Sequence, residues 1–205
     1  MDTSLWIRPT RPADEAALSA MLARCSPDAV RRRFHGAVGA SATAELRREA
    51  NWSPTHRSWV AAARTVDRTV DRAADRAGSD GRRDGPRGEA YAEVHAAVHG
   101  VITLAWGRSR TVGEVEVAFL VEDGWTRHGI GRALFGAAVL EAAREGVPAL
   151  LARVEGCNDG ARRFLRAVAP GATTRFVGAA EFEMDLPVRP AAALATGLER
   201  WEAIA

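Results

Sequence analysis

The 205-residue chain has no lysine and a single tyrosine. Because a GxxxxGK(S/T) loop needs a lysine, its absence excludes the P-loop class of nucleotide-binding proteins. No apolar run is long enough to span a membrane, and the N-terminus lacks the apolar core of a signal peptide. We therefore expect a cytoplasmic protein that has no membrane partner.

The chain has two cysteines, Cys25 and Cys157, and they are isolated from each other in the sequence. Neither belongs to a cluster with the spacing of a metal site, so we expect no metal. A structural disulfide is not expected in a cytoplasmic protein.

The charge of the chain is small and mixed. All 28 basic residues are arginines, and 26 acidic residues leave a net charge of +2. This balance does not predict a nucleic-acid partner. Hydrophobic residues make up 47% of the chain, enough for a core, and the length predicts one domain or one domain with an appendage.

Residues 114–146 contain the most informative pattern of the chain. Residues 114–121 are rich in β-branched and aromatic residues, which predicts a buried strand. A polar turn follows at 122–128, and Gly129 opens a segment with apolar residues at helical spacing. The first amides of a helix lack intrahelical partners, and glycine permits close approach, so this turn is a candidate anion site. A plain strand-to-helix turn is the alternative interpretation.

The run at 116–121 and the run Trp-Thr-Arg-His-Gly-Ile-Gly-Arg-Ala-Leu at 125–134 resemble motif A of the GNAT acyltransferases. That motif is usually written Q/R-x-x-G-x-G/A, and Thr126 stands here at the Gln/Arg position. The resemblance implies an acetyl-CoA site, with backbone amides on the pyrophosphate and strand backbone on the pantetheine. The residues that it assigns to the coenzyme are Phe119, Leu120, Val121, Thr126, Arg127, His128, Gly129, Ile130, Gly131 and Arg132. A dinucleotide-binding fold is disfavoured because the third glycine of its fingerprint is missing.

Two further segments resemble the same family. The N-terminal pattern around 7–34 is similar to GNAT domains of bacterial protein-lysine acetyltransferases, in which this segment walls the acceptor groove. Asn158 and Ala161 resemble the family's N-x-x-A element, whose Asn contacts the coenzyme. Asn158 is also a good helix cap, and a cap alone is the alternative role.

The resemblance implies an α/β (α+β) GNAT fold, with a mixed, mostly antiparallel sheet of about six to seven strands flanked by helices. Residues 1–187 would form one domain. Strands are predicted at 5–8, 58–64, 94–106, 114–121, 149–154, 173–177 and 181–186, and helices at 14–24, 27–36, 42–51, 129–146 and 159–168. Residues 65–88 combine a short repeat with a Gly-, Asp- and Arg-rich run, which predicts a disordered insertion. Residues 188–205 predict a C-terminal helix.

The chemistry implied by an acyl-CoA site requires a neutral amine. For an amine with a pKa of ~10.4, losing the proton at pH 7.5 costs about 4 kcal/mol, so a base is expected. Glu114 and Glu116 are the candidates, and they share one face of the predicted strand. The resemblance favours Glu116, although an outward-facing glutamate or a buried ion pair with arginine is the alternative.

The general acid of many family members is a Tyr seven residues after the Asn, and that position is Leu165 here. Two functions therefore remain open. The first is an N-acetyltransferase that uses acetyl-CoA and acts on a primary amine, either a small molecule or a protein lysine. The second is a catalytically inert acyl-CoA-binding sensor or scaffold. We expect a monomer or a homodimer in either case.

Overall fold

The architecture is a seven-stranded sheet flanked by helices. The structure is a computed structural model, and it describes residues 5–34, 40–49, 51–63, 97–107 and 114–189. The strands are β1 (Leu5–Pro9), β2 (His56–Ala63), β3 (Ala97–Trp106), β4 (Val115–Val121), β5 (Ala149–Glu155), β6 (Thr173–Gly178) and β7 (Glu181–Pro187). The helices in the described ranges are α1 (Glu15–Arg24), α2 (Pro27–Arg33), α3 (Ala40–Glu49), α4 (Ile130–Arg144) and α5 (Asp159–Val168).

The strand order is β1-β2-β3-β4-β5-β7-β6, and every neighbouring pair is antiparallel except β4 and β5. This mixed and mostly antiparallel sheet confirms the predicted fold class. None of the described helices has the length and apolar character needed to cross a membrane.

β4 divides the protein into two apolar cores because successive side chains of a strand point to opposite faces. Val115 and Val117 pack in the core that contains α4, whereas Leu120 packs in the core that contains α1, α2 and α3. Both faces of the central strand are therefore covered, which explains its near-continuous apolar sequence.

β4 and β5 pair for only two residues before they separate. The paired residues are Val115 with Leu150 and Glu116 with Leu151, whereas β5 pairs with β7 along its whole length. β4 remains paired with β3 as far as Val121. A V-shaped opening therefore forms between the C-terminal halves of β4 and β5.

The helix signals of the sequence correspond to observed helix ends. Ser26 caps α2 by accepting a hydrogen bond from the amide of Ala29, as its position before Pro27 predicts. Gly129, with φ of 86°, precedes α4, and Gly146, with φ of 71°, follows its end. These left-handed conformations favour glycine.

The β6–β7 hairpin turns through Gly178, Ala179 and Ala180, which have positive φ of 97°, 47° and 58°. The predicted insertion at 65–88 lies outside the described residues, and so does the predicted C-terminal helix beyond Arg189.

Candidate functional site

A cleft of about 640 Å³ occupies the opening between β4 and β5. Its walls come from these two strands, from the turn that precedes α4, from the first turns of α4 and α5, and from α2. The residues that the sequence assigned to the coenzyme and that line this cleft are Phe119, Leu120, Val121, Thr126, Arg127, Gly129, Gly131, Arg132 and Asn158. The fold thus brings together segments more than 30 residues apart in sequence.

The turn from β4 to α4 has two residues with positive φ. Arg127, with φ of 63°, and Gly129, with φ of 86°, both adopt the left-handed conformation. Nothing lies within 4 Å of the point where a Cβ on Gly129 would stand. The turn therefore presents the N-terminus of a 15-residue helix to the cleft without side-chain obstruction at Gly129.

Gly131 has a packing role in addition to its place in the cleft wall. A Cβ at this position would lie 3.3 Å from the ring of Phe164, which is tighter than an ordinary contact. Phe164 in turn packs against Phe119, with ring centroids 5.2 Å apart. The absence of a side chain at Gly131 therefore lets α4 and α5 approach each other at the cleft.

Two of the assigned residues do not line the cleft. Ile130 is buried in the core with 1% of its surface exposed. His128 is exposed, and its Nδ1 lies 2.8 Å from the carbonyl oxygen of Thr126. Arg127 and Arg132 do line the cleft, so they are the cationic side chains of this turn that can meet an anion.

Thr126 and Asn158 stabilise the local backbone. The Thr126 hydroxyl donates to the carbonyl of Asp123 at 2.9 Å and closes the turn. The Asn158 side-chain oxygen accepts from the amide of Ala161 at 3.1 Å and caps α5. Both residues also line the cleft, so the capping role of Asn158 coexists with a position suited to contact a ligand.

The backbone of β4 faces the opening with alternate residues. The amide of Glu122, just beyond β4, donates to His99 of β3 at 2.9 Å. Because hydrogen-bonding groups alternate along an antiparallel strand, the amides of Val117, Phe119 and Val121 point away from β3, toward the departing β5. These amides can donate to an acyl or amide carbonyl placed in the cleft.

Glu116 lies at the apex of the opening and is held by an arginine. Its carboxylate accepts from Arg153 Nη1 at 3.2 Å, and 12% of its side chain is exposed. Arg153 also donates to Glu183 at 3.4 Å, and Arg175 pairs with Glu183 at 2.5 Å. An alternating row of acidic and basic side chains therefore crosses four strands from the cleft to the edge of the sheet.

Glu114 occupies a different position from Glu116. It precedes β4, which begins at Val115, and the cleft lining does not include it. Of the two glutamates that the sequence proposes as bases, the structure places Glu116 against the cleft.

The side of the cleft formed by α2 contains charged residues that the sequence did not assign to the site. Arg31 donates two hydrogen bonds to Glu155, at 2.7 and 2.8 Å, and this pair ties α2 to the end of β5. The hydrogen bonds from Arg31 lower the pKa of Glu155 below its usual value, although burial opposes them. Arg32 and the buried Arg33 line the cleft from the same helix. In β5, Arg153 and Glu155 alternate with apolar residues, and this alternation is the sequence signal for the charged side chains of that strand.

Within the described residues no group of three His, Cys, Asp or Glu side chains is arranged to hold a metal ion.

Solved structures share this fold, whereas no family model and no curated protein matches the sequence. The GNAT domain of S. lividans PAT matches with a TM-score of 0.62 and 17% identity, over 88% of this chain and 89% of that chain. PaiA N-acetyltransferase from Thermoplasma acidophilum, solved with coenzyme A, matches with a TM-score of 0.56 and 14% identity, over 90% and 99%. The ribosomal-protein-S18-alanine N-acetyltransferase from Escherichia coli matches with a TM-score of 0.55 and 14% identity, over 90% and 94%. The chain therefore has the GNAT fold, and the resemblance that motif A indicated is confirmed at the level of the fold.

Proposed function

We propose that the protein is an N-acetyltransferase that moves the acetyl group of acetyl-CoA to a primary amine, with Glu116 as general base. The observation that carries this proposal is the cleft between β4 and β5, which joins a helix N-terminus, open strand backbone and a carboxylate. The fold and the coenzyme A in the Thermoplasma structure support the choice of coenzyme.

The residues present fit the phosphate half of coenzyme A. The turn before α4 offers first-turn amides and the partial positive charge of the helix N-terminus. Arg127 and Arg132 add two guanidinium groups, which bind phosphate oxygens with paired hydrogen bonds. The open space at Gly129 leaves room for a phosphate against the backbone.

The strand half of the site fits the thioester. The amides of Val117 and Phe119 point into the opening, where either can donate to the acyl oxygen as negative charge develops. Leu165 stands at the position where many related enzymes carry a Tyr, and only 1% of its surface is exposed. We infer that the departing thiolate, with a pKa of ~8.5, takes its proton from water.

Glu116 would accept the proton of the attacking amine. Its pair with Arg153 has to loosen for this step, because a carboxylate bound to a guanidinium shares its lone pairs. Arg153 would keep Glu183 as a partner while Glu116 is neutral, so the step leaves no unpaired charge at this point of the sheet.

An inert acyl-CoA-binding module is the second candidate. The Glu116–Arg153 ion pair and the buried Leu165 favour it, since both remove groups that catalysis would use. In this alternative the cleft still binds acyl-CoA, but amine acetylation is absent.

Acetyl-CoA turnover, measured as release of free thiol, separates the two candidates. We would assay it against small primary amines and lysine-containing peptides, with coenzyme A affinity measured by calorimetry. Thiol release that depends on one class of amine supports the acetyltransferase and identifies its acceptor. Tight coenzyme binding without release for any amine supports the inert module, and absence of binding contradicts both.

A further inference from the structure

We propose that His99 is a positioning residue, which holds the phosphate-binding loop 122–129 in the conformation that coenzyme A requires. This inference rests on the proposed function, because the ligand of the loop is taken to be coenzyme A. His99 does not line the cleft, so its role is exerted through the loop.

His99 is the extra residue of a β-bulge in β3. In the ladder with β2, Ala61 lies opposite Gly100 but Ala62 lies opposite Val98, which leaves His99 without an opposing residue. A bulge bends the strand locally and can redirect a side chain. The imidazole is buried, with 9% of the residue exposed, beside the end of β4.

The imidazole contacts two parts of the loop. Its Nδ1 lies 2.8 Å from the Glu122 carboxylate, and its ring stacks on Trp125 with centroids 4.0 Å apart and planes inclined by 28°. The ring centroids of Trp125 and His128 lie 5.9 Å apart with planes inclined by 56°, so a tilted aromatic contact links Trp125 to the second half of the loop. One side chain of β3 therefore contacts the loop at two residues, Glu122 and Trp125.

Gly100, the next residue, sets the position of α4 against the same strand. A Cβ on Gly100 would lie 2.9 Å from Ile130 and 3.0 Å from Leu134, both in the first turns of α4. The dipeptide at 99–100 thus supports the loop with one residue and lets the helix approach with the other. The distance between the N-terminus of α4 and the sheet therefore depends on His99 and on Gly100.

The contacts that α1 and the N-terminus of α2 make with the loop lie at its start. Arg24 donates to both oxygens of Glu122, and the backbone and hydroxyl of Ser26 donate to Asp123. The left-handed residues come later, at Arg127 and Gly129. Because a non-glycine residue in this conformation is disfavoured, that part of the loop needs support from outside, and the Trp125–His99 stack lies nearest to it in sequence.

The test compares His99→Ala, which removes both contacts, with His99→Phe, which keeps an aromatic ring against Trp125 but loses the Nδ1 hydrogen bond. His56→Ala is the matched control, because His56 lies at the start of β2 and does not line the cleft. Glu122 keeps Arg24 in each variant, so the fold is expected to survive.

Coenzyme A affinity is measured by calorimetry, and hydrogen exchange of the amides at 125–131 is measured without ligand. For His99→Ala we expect affinity to fall on the order of tenfold or more, since a stacked pair and a hydrogen bond to a carboxylate are lost. Exchange at 125–131 should accelerate in the same variant. His99→Phe should show a smaller loss, and His56→Ala should match the wild type.

Unchanged exchange at 125–131 in His99→Ala would overturn the inference, whether or not coenzyme A binds. Accelerated exchange with unchanged affinity in a wild type that binds coenzyme A would also overturn it. If wild type fails to bind coenzyme A, the proposed function fails, and the exchange data still decide whether His99 positions the loop.

Discussion

Replacement of Glu116 by Gln tests the proposed chemistry most directly. Gln keeps the size of the side chain and its capacity to accept a hydrogen bond from Arg153, but it cannot take a proton from the amine. Loss of a general base lowers rates by about 10²–10⁴-fold, which corresponds to about 3–5 kcal/mol in the transition state. We expect kcat/KM at pH 7.5 to fall by that order.

Destabilisation of the fold can explain only a small part of this loss in kcat/KM. The Glu116 and Arg153 side chains are 12% and 24% exposed, which places the pair between a surface ion pair and a fully buried one. Arg153 retains Glu183 at 3.4 Å after the substitution. We therefore expect the free energy of unfolding to fall by only about 1 kcal/mol. If Glu116→Gln stays folded at the assay temperature, its lower rate must come from loss of the general base.

The assay measures thiol release from acetyl-CoA as a function of pH, and calorimetry checks that coenzyme affinity barely changes. The deficit of Glu116→Gln should shrink at high pH, where the amine loses its proton to solvent. Glu114→Gln is the matched control and should behave like the wild type. Full activity of Glu116→Gln at pH 7.5 would refute the base assignment, and a large loss in Glu114→Gln instead would transfer the role to that residue.

Four further outcomes are expected. Gly129→Ala should lower the free energy of unfolding by about 1 kcal/mol in chemical denaturation, because alanine resists the left-handed backbone, and it should weaken coenzyme A binding in calorimetry. Burial opposes ionisation of Glu122, but hydrogen bonds from Arg24 and His99 hold its pKa below the usual 4.5. Its carboxylate therefore adds stability above pH 4.5, and this stability is lost as pH falls through the lower pKa of the folded state. In an acid titration, the difference in free energy of unfolding between Glu122→Gln and the wild type should disappear over that range. Burial raises the pKa of Cys25 to about 11, with Asp123 and Glu122 adding to the shift, so a thiol reagent at pH 8 should label the exposed Cys157 alone until the protein is denatured. Replacing residues 65–88 by a short linker should change Tm little, since Ala63 and Ala97 are already cross-strand neighbours, and a collapse of folding would contradict the predicted insertion.

Local chemistry made much of the fold predictable. A short oxygen-bearing side chain before a helix satisfies a free amide, which predicted the observed cap at Asn158, and Ser26 before Pro27 caps α2 for the same reason. The strand at 114–121 and the glycine-bearing turn after it could be predicted because buried strands and left-handed turns strongly restrict the residue types that they accept.

The sequence could not show which charged side chains meet. Glu116 was a candidate base by its resemblance, but its pairing with Arg153 depends on strands 37 residues apart in sequence. The roles of His99 and Gly100 were hidden for the same reason. The closeness of Gly100 to Ile130 and the contact of His99 with Glu122 require the completed sheet.

The sequence by itself therefore determined the order of elements, the glycine-bearing turn before α4 and the resemblance to GNAT acyltransferases, because these depend on residue type within a few positions. The tertiary structure decided that β4 and β5 separate after two paired residues, that Glu116 rather than Glu114 faces the cleft, and that α2 closes its other side through Arg31 and Glu155. The physical reason is that a cleft is a gap between packed elements. Its shape depends on where long-range pairing stops, and no local sequence pattern encodes that point.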